Sequence, residues 1–100
     1  MIRSNISAQL SIPELFNGYA KIASTGGAMT GLTWQAGDVF LVSTTASSAT
    51  ITATDDLEVL ITDRHTNGVC IALIYANGST GNISIGGGGT TSGIIQFRKS

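Results

Sequence analysis

Few residues in this chain could do chemistry. His65 is the single histidine and Cys70 the single cysteine, so a catalytic or metal-binding histidine would lack its usual partners. His65 sits in Asp63-Arg64-His65 and reads as a solvated residue near a turn. Asp55, Asp56 and Glu58 bring three carboxylates close in sequence. A calcium loop needs alternating oxygen ligands along the chain, which this stretch lacks, so they read as turn and strand-start residues. Cys70 lies inside an apolar run and reads as a small buried hydrophobe, not a nucleophile. Gly86 to Gly89, followed by Thr90-Thr91-Ser92-Gly93, lacks the lysine and the strand–loop–helix context of a phosphate loop. It reads as a loop between strands, or as a place where backbones approach closely. Asn5-Ile6-Ser7, Asn77-Gly78-Ser79 and Asn82-Ile83-Ser84 match the glycosylation pattern, as chance allows in a chain rich in Ser and Thr. Trp34 and Tyr75 have faces that stack on sugars, and core packing explains them equally well. No catalytic residue, metal set or cofactor site is assigned, and the chain is expected not to be an enzyme.

The elements that would position these residues centre on Leu57 to Ala76. Two apolar runs, Leu57 to Thr62 and Val69 to Tyr75, flank a polar segment ending in Asn67-Gly68. Asn and Gly tolerate positive φ, so the segment predicts a β-hairpin. Pairing Ile61 with Ile71 and Val59 with Leu73 sets Leu57, Val59, Ile61, Val69, Ile71, Leu73 and Tyr75 on one apolar face, the expected core face. An acid at Ile71 is then expected to abolish folding. The other face carries Leu60, Cys70, Ala72 and Ile74 beside Glu58 and Thr62, and is expected to meet a partner.

One hundred residues correspond to a single domain, 1–100, with a thin core. Only 11% of residues are charged, where about 25% is usual, and Ser and Thr fill the gap. A hydroxyl-rich, nearly neutral surface suits a protein packed in an assembly, because free monomers normally use charge to avoid association. A net charge of −1 supplies no field for nucleic acid or an anionic membrane. No apolar run approaches the roughly 20 residues of a membrane helix. Polar residues interrupt the N-terminal stretch as they would not in a signal peptide, so synthesis in a cytoplasm without the usual export is expected.

In chain order, Ile2 to Ile12 alternates apolar and polar residues and predicts one long strand or arm. Ser11 to Ala23 is ambiguous. Ser11 and Glu14 have capping-box spacing, with Leu15, Phe16, Tyr19, Ile22 and Ala23 at helical intervals, whereas Asn17-Gly18 is a hairpin-turn signal. A short helical turn near residues 12–23 or an irregular crossing is expected. Beyond it the reading is β throughout: a turn at Gln35 to Asp38, strands at Val39 to Ser43 and Ala49 to Thr54, a turn at Asp55-Asp56 and the hairpin. A loop at Asn77 to Gly81 and strands at Ile83 to Ile85 and Ile94 to Arg98 follow. The architecture expected is all-β, a small β-sandwich or jelly-roll of seven or eight short strands.

The Met-initiated all-β chain, its Gly/Ser/Thr-rich stretches at Ser43 to Thr54 and Gly86 to Gly93, and its low charge resemble small phage virion proteins. These are capsid decoration or cement proteins and the domains of head and tail fibres. The resemblance is one of compositional style over the whole chain and carries no site residues across. It implies a structural virion protein that self-associates, with a trimer the expected homo-oligomer, and attaches to other virion proteins. The oligomer interface is expected to include Leu60, Cys70, Ala72 and Ile74, with Ile6 and Leu10 from the N-terminal strand. The alternative is a carbohydrate-binding β-sandwich module, for which a glycan would be the partner.

Overall fold

The computed structural model describes residues 17–26, 29, 31–45, 48–65, 68–87 and 91–99. The predicted strand at 1–12, with Ile6 and Leu10, lies outside them. Seven antiparallel strands form two sheets: β1 (Tyr19–Thr25), β2 (Val39–Thr44), β3 (Thr50–Ala53), β4 (Leu57–His65), β5 (Val69–Ala76), β6 (Ile83–Gly86) and β7 (Thr91–Lys99). The larger sheet has the order β1-β7-β2-β5-β4, and β3 pairs with β6 in the smaller one. The fold is all-β and sandwich-like, as expected from the spacing of short strands between turn residues. No helix occurs among the described residues. Asn17-Gly18 forms a turn with Gly18 at φ 85°, and β1 follows at once. The turn chemistry overrides the helical spacing of Tyr19, Ile22 and Ala23, which fall in the strand.

The core lies between the sheets. Phe40 and Val42 of β2, Cys70, Ala72 and Ile74 of β5, and Ile94 of β7 face Ile51 of β3 and Ile83 of β6. The two-stranded sheet therefore covers the inner face of the larger one. This reverses the hairpin faces read from the sequence. Cys70, Ala72 and Ile74 are each 0% exposed, whereas Val69 and Ile71 are exposed at 36% and 39%. The register differs as well: Ile61 pairs with Leu73 and Asp63 with Ile71. Strand β4 runs through Asp63-Arg64-His65 to pair His65 with Val69, leaving a short turn in place of the longer polar one expected. Both faces of β5 are apolar, so alternation could not say which one packs. The smaller side chains go inward, where a second layer must come close.

Each edge strand of the larger sheet carries a register shift. In β1 it falls between Lys21 and Ala23, and in β4 between Val59 and Ile61. The extra residues are Ile22 and Leu60, exposed at 46% and 51%. The shift in β4 also exchanges its faces. Leu57 and Val59 pack inward opposite Ala76 and Ile74, while Ile61, 65% exposed, points outward opposite Leu73.

Close backbone approach explains Gly87, the described end of the glycine-rich stretch. It sits at φ 71°, and a Cβ there would collide with the carbonyl oxygen of Ser48, whose hydroxyl donates to the Gly87 carbonyl at 3.0 Å. Gly87→Ala is expected to cost about 2 kcal/mol and to lower Tm by about 10 °C in a thermal melt. A Tm within about 2 °C of the parent would mean the approach is relieved without strain.

Candidate functional site

Among the described residues, the densest polar constellation surrounds Asp38, at the end of the larger sheet. The turn Gln35 to Asp38 closes through Asp38 N–H donating to the Gln35 carbonyl at 3.1 Å, with Gly37 at φ 95°. It is tied to the end of β5 by Gly37 N–H to the Ala76 carbonyl, 2.8 Å, and by Ala76 N–H to the Asp38 carbonyl, 2.9 Å. These bonds set the Asp38 carboxylate, 1% exposed, against β7.

Its oxygens accept four hydrogen bonds. Arg98 forms a two-point fork, Nε to Oδ1 at 2.9 Å and Nη2 to Oδ2 at 2.8 Å. Oδ2 also accepts from Gln96 Nε2 at 2.9 Å and from the Gln35 amide at 3.1 Å. Gln96, itself buried, gives its other amide hydrogen to the Thr33 carbonyl at 2.8 Å. Burial pushes the Asp38 carboxyl pKa up, but the Arg98 bonds, the Gln35 amide, Gln96 and the Arg98 charge together hold it below its ordinary value. Asp38 is thus kept ionised with its acceptor sites filled. It is a brace joining a turn and two strands, not a base waiting for a proton.

Above this brace opens a cleft of about 420 Å³, lined by Tyr19, Gln35 to Asp38, Tyr75, Arg98 and Lys99. The Tyr19 hydroxyl donates to the Gly37 carbonyl at 3.4 Å, a long contact that holds one wall. Two phenol rings beside Lys99 and the Asp38-paired Arg98 make a cleft suited to a polar group.

Of the residues whose chemistry the sequence singled out, Tyr75 lines this cleft and the others described lie elsewhere. His65 is exposed at the far end of β4. Asp55 and Asp56 form the turn before β4, with Asp55 at φ 54°. Asp56 fastens the loop between β5 and β6 by accepting from the Thr80 hydroxyl at 2.7 Å and the Thr80 amide at 3.0 Å, bonds that lower its pKa. Among the described residues no three His, Cys, Asp or Glu side chains gather as a metal site requires. Trp34 stacks edge-on against Phe40, ring centroids 5.7 Å apart, and donates from Nε1 to the Thr80 carbonyl at 3.1 Å. Phe40 faces inward and Tyr75 belongs to the outward set of β5, so Trp34 and Tyr75 share no platform.

Of the expected interface residues, Cys70, Ala72 and Ile74 are covered by their own chain, so no partner can reach them in the folded domain. Leu60 is exposed. Among the described residues, the opposite face of the sheet exposes Ile61, Val69 and Ile71 beside the half-buried Leu41, Leu73 and Ile95. Comparison with models of protein families, with curated proteins and with solved structures finds no match.

Proposed function

We propose that this chain is a non-enzymatic structural protein of a virion, a decoration or fibre component that works by self-association and attachment to a larger particle. One observation carries the reading: the outer face of the five-stranded sheet, with Ile61 at 65% exposure and Ile71 at 39%, is apolar across its middle. Solitary soluble domains avoid such a contiguous face, and surfaces of this kind mark protein contacts. The low charge fits the same role, and the polar brace at Asp38 is committed to holding strands together. The test is particle composition. In phage particles from a lysate producing this chain, it is expected to band with the capsid through a density gradient and to appear in their mass spectrum. Chain left wholly at the top of the gradient would refute the virion role.

A second reading is glycan recognition, favoured by the cleft beside Tyr19, Tyr75, Arg98 and Lys99. Phenol rings stack on sugar faces, and Lys99 adds a charged donor for sugar oxygens. Specific retention on a glycan array, lost on Tyr75→Ala, distinguishes it from a purely structural role.

A further inference from the structure

The strand registers run one row of five residues straight across the outer face of the larger sheet. Lys21 on β1 pairs with Phe97 on β7, Phe97 with Val39 on β2, Val39 with Tyr75 on β5, and Tyr75 with Glu58 on β4. The row begins with an exposed cation, ends with an exposed anion and is apolar or aromatic between, with Val39 already buried at its centre. The next row, Ile95, Leu41, Leu73 and Ile61, carries no charge on these four strands. From β1 to β4 the charged row spans four strand spacings, about 19 Å.

We propose that this face is the contact between two copies of the chain, related by a two-fold axis that runs along β2 between the two sheets. A rotation about that axis preserves position along the strands and exchanges left with right. Strand β1 of each copy then covers β4 of the other. Lys21 of one copy stands over Glu58 of the second, twice per dimer, while the apolar middles of the rows meet. A two-fold axis across the strands would instead set β1 over β1, placing Lys21 over Lys21 when it passes through this row and over no acid when it does not, so charge favours the first orientation. Packed sheets lie about 10 Å apart, a gap that Lys and Glu side chains reaching from both sides can close. The row is complementary to itself, and self-complementarity is the defining property of a two-fold contact. A second copy, not a foreign surface, is therefore the occupant. This deepens the self-association reading above and replaces the trimer that compositional resemblance implies with a pair.

Sedimentation equilibrium of the full chain at low ionic strength tests it. The expected mass is twice 10.2 kDa, with dissociation strengthening as salt is added. Lys21→Glu and Glu58→Lys should each weaken the dimer about tenfold or more, because each turns two attractions into two repulsions. Mixing the two variants should restore pairing, since a dimer of one with the other regains both opposite-charge contacts. Circular dichroism of each variant confirms that the monomer remains folded. A monomeric parent, a trimer, or a dimer indifferent to both charge reversals would overturn the proposal. A monomer that still bands with particles would overturn this contact and leave the virion role standing, whereas a charge-sensitive dimer absent from particles would do the reverse.

Discussion

Ile74→Asp is expected to leave no soluble folded protein, whereas Ile71→Asp, three residues earlier on the same strand, is expected to fold and melt cooperatively. Ile74 is 0% exposed, paired with Phe40 and packed among Val42, Ile51 and Ile83. A carboxylate there has no partner, and burying it costs several kcal/mol, a large part of the 5–15 kcal/mol that typically holds a domain of this size. Ile71 lies on the outer face at 39% exposure, where an acid remains hydrated. Its effect should fall on association, since it interrupts the apolar middle of the proposed contact. Soluble yield and a thermal melt of the two variants suffice. An unfolded Ile71→Asp beside a stable Ile74→Asp would invert the face assignment.

Removal of the Asp38 carboxylate is the second large effect. Asp38→Ala leaves the Gln35 amide, one Gln96 hydrogen and the Arg98 fork without their acceptor, at an expected cost of about 2–4 kcal/mol. The milder Asp38→Asn keeps the shape and removes the charge, which makes it the better probe of pH. The folded pKa of Asp38 lies below its ordinary value, so its ionisation stabilises the fold fully above the unfolded pKa of about 3.9. That stability is lost as pH falls through the lower folded pKa. Denaturant melts should therefore show a gap between parent and Asp38→Asn that is constant near neutrality and narrows below about pH 4. A gap that stays unchanged down to about pH 2 would mean the charge of Asp38 contributes nothing to folding.

The architecture was legible because turn residues punctuate the chain at short intervals. Gly37, Asp55 and Gly68 all fall between strands, and each takes a positive φ that few other residues tolerate. What the sequence concealed was orientation. Val69 to Tyr75 has large side chains on one face and smaller ones on the other, both apolar, so periodicity marks a strand without saying which side packs. The inserted Leu60 compounds this, because an extra residue exchanges the faces of β4 midway and defeats any register inferred from alternation. The Asp38 brace was missed for a different reason. Its members come from a turn and from two alternate positions of β7, and nothing local links Asp38 to Arg98 across 60 residues. A signal was present, since Gln96 and Arg98 alternate in step with the buried Ile94. Polar side chains on an inward-facing row require partners, and the nearby turn offered an Asp.

The two inserted residues at the sheet margins have one more consequence. An exposed margin of regular strand invites another strand to add to it, and repeated addition gives filaments without end. Here both margins, β1 with Ile22 and β4 with Leu60, are interrupted by a residue that breaks the hydrogen-bond ladder. Neither can template a continuous new strand along its length. Growth sideways is therefore frustrated at both borders while the broad face remains open. Under the proposed pairing, copies would therefore stack face to face in a finite group, not extend edge to edge as an amyloid-forming sheet does.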